Sequence, residues 1–160
     1  MMSAMKKLTK TLTYDASTDA VGAMLDDVAF REEVLRQQRV VRGSADVDGD
    51  VVRIEQVRSA GDVPSFARSF VGEEIVIVQT ETWSSATTAD VAIAIPGKPA
   101  EASGTIALTE SAGLTTQTVD LAVSVRIPLV GGKVETMIVE LMGHALDVEH
   151  RVGVDWLASR

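Results

Sequence analysis

The chain has 160 residues, of which 46% are hydrophobic and 24% charged, values that fit one globular domain with one core and exclude global disorder. A formal net charge of −8 disfavours nucleic-acid backbones and anionic membrane surfaces, which need clustered Lys and Arg. An aromatic content of 4% offers few stacking platforms for single-stranded nucleic acid. The absence of cysteine excludes disulfides, thiolate catalysis and Cys-ligated zinc.

The segment Met1 to Lys7 has no apolar h-region, so it does not read as a secretory signal. No apolar run approaches the roughly 20 residues of a membrane span. The expectation is a cytoplasmic protein without stable membrane insertion, with residues 1–160 in one domain and residues 1–5 frayed.

From Lys7 to Tyr14 the pattern alternates, with Leu8, Leu12 and Tyr14 on an apolar row that Lys10 interrupts. Lys10 either snorkels outward along Leu8 and Leu12 or faces an interior ligand; the snorkel is preferred. Asp15 or Ser17 can cap a helix from about Thr18, with Val21 and Leu25 sharing a face. Asp26 and Asp27 break the chain and start a second short helix. It has Phe30 and Val34 on one face, with Arg31, Glu32 and Glu33 expected outside.

Two β-rich runs follow, Val40 to Val47 and Val51 to Ser59, around Asp48-Gly49-Asp50, and they predict a hairpin. Gly61 to Gly72 reads as a loop with at most one helical turn. Further strands are predicted at Glu74 to Trp83, Thr88 to Ile95, Gly104 to Glu110 and Leu114 to Ile127. In the last, Val119, Leu121, Val123 and Val125 share a face. Short connections favour antiparallel neighbours.

After Pro128 and Gly131-Gly132, an uninterrupted apolar stripe of Val134, Ile138, Leu141, Ala145, Val148, Val152 and Trp156 predicts a helix to Leu157, about 40 Å long at 1.5 Å per residue. A helix so apolar on one side must lie along a sheet. The expected architecture is α+β: a seven-stranded curved antiparallel sheet, two short helices after the first strand, and a long C-terminal helix. One rod cannot fill a broad curved sheet, so space for a ligand is expected between them.

The element order, the run Ile127-Pro128-Leu129-Val130-Gly131-Gly132-Lys133-Val134-Glu135, the closing Asp155-Trp156-Leu157, and Trp83 after its strand resemble the START-like, birch-pollen-allergen-like helix-grip superfamily, also called polyketide-cyclase-like. Within it, the chain is most similar to an actinobacterial family of unknown function. The resemblance implies a hydrophobic-ligand cavity between sheet and helix. It does not fix the activity, because the superfamily includes lipid carriers, hormone receptors, ring cyclases and chaperone activators. Relatives commonly carry an Asp-Gly turn after the Trp region, whereas this chain has Ser84-Ser85-Ala86-Thr87-Thr88-Ala89-Asp90.

Candidate chemistry is sparse. The Pro-Leu-Val-Gly-Gly-Lys segment lacks P-loop spacing and reads as a hinge. His144 and His150 are six apart and do not share a helical face, so no metal site is expected. His144 reads as an edge residue, with a role at a pocket rim as the alternative. Glu81 and Trp83 share a face with Ile75 and Ile77. If that face is internal, Glu81 is a carboxylate in an apolar cavity, but the solvated reading is preferred because buried Glu is rare. Phe66 and Phe70 anchor a loop or form a lid.

The candidate ligand contacts are Phe66, Phe70, Ile77, Glu81, Trp83, Val119, Leu121, Val123, Met137, Ile138, Leu141, His144 and Ala145. No catalytic set and no cofactor motif emerges. The expected partner is a small hydrophobic molecule: a lipid, fatty acyl group, isoprenoid or polyketide-like compound. The expected oligomeric state is a monomer or weak dimer. A cyclase- or dehydratase-type enzyme using Glu81, His144 or Tyr14, and an interaction module without a pocket, are the alternatives.

Overall fold

The computed structural model describes residues 5–160, so the fraying expected at the N-terminus falls mostly outside the described residues. Strand β1 (Lys6–Tyr14) leads into helices α1 (Thr18–Leu25) and α2 (Val28–Gln37). Strands β2 (Arg42–Asp48) and β3 (Val51–Ser59) form the predicted hairpin. A short 3-10 turn (Ala60–Asp62) and helix α3 (Ser65–Val71) follow. Strands β4 (Glu74–Trp83), β5 (Thr88–Ala94), β6 (Ala100–Ser111) and β7 (Leu114–Val125) precede helix α4 (Gly131–Ala158). The architecture is the expected α+β helix-grip. Helix α3 replaces the anticipated loop, and its Ala67 and Val71 are buried.

The strands form one antiparallel sheet in the order β1-β7-β6-β5-β4-β3-β2. Every link from β2 to β7 joins sequence neighbours, and β1 closes against β7 with Leu8 opposite Leu121 and Leu12 opposite Gln117. The β6–β7 turn puts Ala112 and Gly113 at positive φ, 54° and 81°, the pair of left-handed conformations a tight two-residue hairpin needs. The turn after Trp83 needs no glycine. Ser85 Oγ accepts from the backbone N–H groups of Thr87 and Thr88, so a side chain supplies the closure that an Asp-Gly pair gives elsewhere.

Helices α1 and α2 start on side-chain caps: Ser17 accepts from the Ala20 N–H and Asp27 from the Ala29 N–H. Phe30 of α2 meets Trp156 of α4 edge-on, with ring centroids 5.6 Å apart. The hinge before α4 is tight. A Cβ on Gly131 would lie 2.9 Å from the Val125 carbonyl oxygen, and the buried Glu135 carboxylate accepts from the Val125 N–H at 2.8 Å.

Helix α4 lies mainly over β1 and β7 and against α2 and α1. Its ends are sunk into the core at Val134, Val152 and Gly153, but Met137, Ile138, Met142 and Ala145 are only half-buried, and Leu141 is 41% exposed. The predicted stripe is therefore real, and its middle is less deeply buried than its ends.

Two glycines of α4 separate close packing from free space. A Cβ on Gly153 would sit 2.7 Å from Tyr14 Cε1 and 3.2 Å from Met24 Cε, while one on Gly143 meets nothing within 4 Å. Gly143→Ala should stabilise the protein by about 0.5–1 kcal/mol through helix propensity. Gly153→Ala should destabilise it by about 1–3 kcal/mol through overpacking. Urea midpoints moving in opposite directions are the expected result. An increase for both would contradict the docking of the α4 C-terminal half on β1.

Candidate functional site

The concave face of the sheet is written in alternation. On β4, Ile75, Ile77, Gln79, Glu81 and Trp83 face inward; on β7, Thr115, Gln117, Val119, Leu121, Val123 and Val125 do so. Between this face and the half-buried middle of α4 lies a cavity of about 190 Å³. Its walls are apolar: Ile77, Val91, Ile93, Val119 and Leu121 from the sheet, Met137, Ile138, Leu141, Met142 and Ala145 from α4, and Phe70 and Val71 from α3.

The two ends differ. The outer end holds exposed Leu141 with half-buried Gln38, Gln56 and Arg58. Arg58 donates from Nε to Gln56 Oε1 at 2.7 Å and from Nη2 to Gln38 Oε1 at 3.2 Å, and Gln38 Nε2 donates to the Ala145 carbonyl at 2.9 Å. These bonds form a polar strap from β3 through the α2 C-terminus to α4.

The inner end holds Arg31, Glu81, Gln117 and Glu149. Arg31, 2% exposed, donates from Nε to the Leu25 carbonyl and from Nη2 to Glu81 Oε1, both at 2.7 Å. Its Nη1 lies 3.8 Å from Glu149 Oε1. Glu81 is fully buried and also accepts from Gln79 Nε2 at 2.8 Å and Trp83 Nε1 at 3.2 Å. Gln117 Nε2 donates to Glu149 Oε2 at 3.2 Å. Two buried polar atoms have no partner among the described residues: Gln117 Oε1 and the Tyr14 hydroxyl.

The electrostatics follow from one cation facing two carboxyls. Burial pushes the Glu149 carboxyl above its ordinary range; Arg31 pulls it back, while Glu81 adds to the rise. Burial opposes the charge on Arg31, but Glu81 and Glu149 more than offset this and hold the guanidinium firmly protonated. Tyr14 is driven up by burial and then by Glu149, so it stays a neutral phenol. The fully bonded pair is thus Arg31–Glu81, and Glu149 is the carboxyl whose affinity for a proton burial raises.

Of the residues proposed from sequence, Phe70, Ile77, Glu81, Val119, Leu121, Met137, Ile138, Leu141 and Ala145 line this one cavity. Val123 is buried in the adjoining core, and Trp83 packs beside the cavity while bonding Glu81. Phe66 is exposed, with Lys133 Nζ 5.1 Å from its ring centroid. His144 is exposed on α4. The solvated reading of Glu81 is overturned, because its strand face is internal and Arg31 supplies the compensating charge. Arg31 itself was expected outside and is buried, for it shares a helical face with Leu35, four residues on. Lys10 snorkels, its Nζ reaching Asp147 on α4 at 2.7 Å. Gln117 and Glu149 were missed. Both occupy apolar positions of otherwise periodic elements, Gln117 in the row of Val119 and Leu121 and Glu149 between Ala145 and Val152, and that misfit was the available signal.

A family model described as a protein of unknown function, DUF2505, matches residues 9–157. The chain belongs to the DUF2505 family. It is 29% identical over 142 residues to an uncharacterized protein of Mycobacterium tuberculosis, covering 83% of this chain and 78% of the relative. Among solved structures, this DUF2505 protein resembles the Zhui aromatase/cyclase from Streptomyces sp. R1128, with a TM-score of 0.71, 12% identity, and 98% and 96% of the two chains covered. It also resembles a START superfamily protein from Mycobacterium smegmatis, with a TM-score of 0.62, 13% identity, and 98% and 99% covered. These likenesses establish the START-like, birch-pollen-allergen-like fold. Among the described residues no helix is long and apolar enough to cross a membrane, and no cluster of His, Asp and Glu is arranged to hold a metal.

Two predictions test the inner cluster. Arg31→Met strands Glu81 without its cation and should cost about 3–5 kcal/mol in chemical denaturation; a loss of under ~1 kcal/mol would show the pair to be dispensable. A carboxyl whose folded pKa is raised binds its proton more tightly in the native state, so its contribution to stability is full below the ordinary value of 4.5 and is lost as pH rises through the folded value. Glu149→Gln removes that loss. The stability of the variant minus that of the wild type should therefore increase with pH above about 4.5, and a flat or falling difference would contradict the assignment.

Proposed function

We propose that this DUF2505 protein binds or carries a small hydrophobic molecule, such as a lipid, fatty acyl group, isoprenoid or polyketide-like ring, without transforming it. The observation that carries the reading is the cavity itself: about 190 Å³ bounded by aliphatic side chains from β4, β5, β7, α3 and α4, on a chain whose helix stripe stays half-buried at the same level. Transfer of apolar ligand surface into that space is favourable by about 25 cal/mol per Å². The likeness to a START superfamily protein and to an aromatase/cyclase supports a cavity that accepts a guest.

A second reading, an enzyme of the cyclase or dehydratase type, is favoured by one observation: Glu149 places against the cavity a carboxyl whose pKa burial raises above the ordinary range. The other groups it would draw on are badly placed. Glu81 is locked by three donors, His144 is exposed, and Tyr14 is buried outside the cavity lining. The binding reading needs none of them.

Fluorescence titration with a neutral apolar probe, N-phenylnaphthylamine, provides the test. The wild type should bind the probe with an emission increase. Ala145→Trp, which places an indole in the cavity, should weaken binding by about tenfold or more at unchanged thermal stability. Equal binding by the two proteins would place the probe elsewhere and refute the cavity as the binding site.

A further inference from the structure

We infer that the inner end of the cavity is a head-group site for a hydroxyl, and that the ligand is an apolar alcohol or phenol held with that hydroxyl against Gln117 and Glu149. The inference rests on the cavity being a ligand site, and adds which chemistry the ligand carries and which end of it enters first.

The donors and acceptors at the inner end decide the class. Arg31 is committed: Nε serves the Leu25 carbonyl, Nη2 serves Glu81, and Nη1 faces Glu149. Both oxygens of Glu81 already accept bonds. Gln117 is 1% exposed and lines the cavity, its Nε2 is given to Glu149, and its Oε1 has no partner among the described residues. A buried carbonyl of this kind costs about 1–3 kcal/mol while it stays unpaired. Exchanging the two ends of the amide leaves one end open just the same, now a donor. A hydroxyl answers either arrangement, because it both donates and accepts. Glu149 beside it, bonded to Gln117 and lining the same cavity, adds a second polar partner for the same oxygen.

Other head groups fit worse. A carboxylate or phosphate would enter a region with one arginine and two carboxyls, and the arginine is already paired. An ammonium would find carboxyls, but Gln117 and the buried guanidinium of Arg31 stand beside them, and its desolvation is far costlier than that of a hydroxyl. A bare hydrocarbon leaves the Gln117 amide unanswered. The apolar walls then take the rest of an alcohol or phenol, with the Gln38–Arg58–Gln56 strap over the outer end.

The test uses four probes of one shape at neutral pH, namely naphthalene, naphthol, naphthoate and naphthylmethylamine, measured by displacement of N-phenylnaphthylamine. In the wild type, naphthol should bind more tightly than naphthoate or naphthylmethylamine. Gln117→Met should weaken naphthol about tenfold while leaving naphthalene unchanged, and Gln117→Leu provides a second variant of the same kind. Unchanged naphthalene binding shows that the cavity is intact in each. A tighter naphthoate or naphthylmethylamine would overturn the hydroxyl assignment, and so would variants that weaken naphthol and naphthalene equally or neither; in those cases the cavity reading survives. Failure of all four probes to bind the wild type would remove the cavity reading and the head-group site together.

Discussion

A straight helix cannot cover a curved sheet, and most of what distinguishes this molecule follows from that constraint. Helix α4 runs for 28 residues, about 42 Å, across the concave face. It is fixed at two places. At its start, Glu135 holds the end of β7 and Gly131 allows the backbones to touch. Near its finish, Gly153 lies against Tyr14 and Trp156 against Phe30. Between these anchors the side chains of the middle turns pack only partly on the core, and Met137, Ile138, Met142 and Ala145 line the cavity opposite Ile77 of β4 and Val91 and Ile93 of β5. The protein gives up packing energy there, since dispersion contacts across a gap are forfeited. What it retains is a volume of molecular size, walled by side chains that water solvates poorly.

The second constraint is the charged cluster at the inner end of that space. A buried ion pair is weak as a source of stability, because desolvation cancels much of its attraction. Here each member of the Arg31–Glu81 pair has further neutral partners: the Leu25 carbonyl for the guanidinium, and Gln79 and Trp83 for the carboxylate. That completeness makes the pair tolerable and links α2, β4 and the end of α1 in one bonded unit. Glu149 and Gln117 are less complete. They bond each other, face the same cavity, and leave an amide atom over. Buried polar groups are almost always satisfied, so the open Gln117 amide atom in the cavity wall sets this pair apart from the completed pair beside it.

Much of this was legible in the sequence, and the parts that were not share a cause. The alternating runs mark the strands, Asp48-Gly49-Asp50 marks the β2–β3 hairpin, and the stripe from Val134 to Trp156 marks α4 nearly to its last residue. The row of Val119, Leu121 and Val123 was placed on the inner face correctly. The readings that failed concerned charged residues at apolar positions. Arg31 reads as solvent-facing because it lies off the Phe30–Val34 face, and Glu81 because a lone buried Glu is rare. They are buried together, 50 residues apart in sequence, and no local pattern announces such a pairing. Helix α3 was hidden for a different reason: at seven residues, with Pro64 before it and Gly72 after it, its turn signals outweighed its short periodicity.

The central claim, that an apolar molecule enters between the middle of α4 and the concave sheet, is tested most directly by methyl-resolved NMR during titration with N-phenylnaphthylamine. Saturable shifts are expected at Ile77, Val91, Leu121 and Ile138, with ligand-to-methyl nuclear Overhauser contacts there, and silence at Val76 and Val51, which are exposed. Shifts confined to exposed methyls such as those of Val76, Val51 and Leu129, with the cavity methyls unmoved, would contradict it.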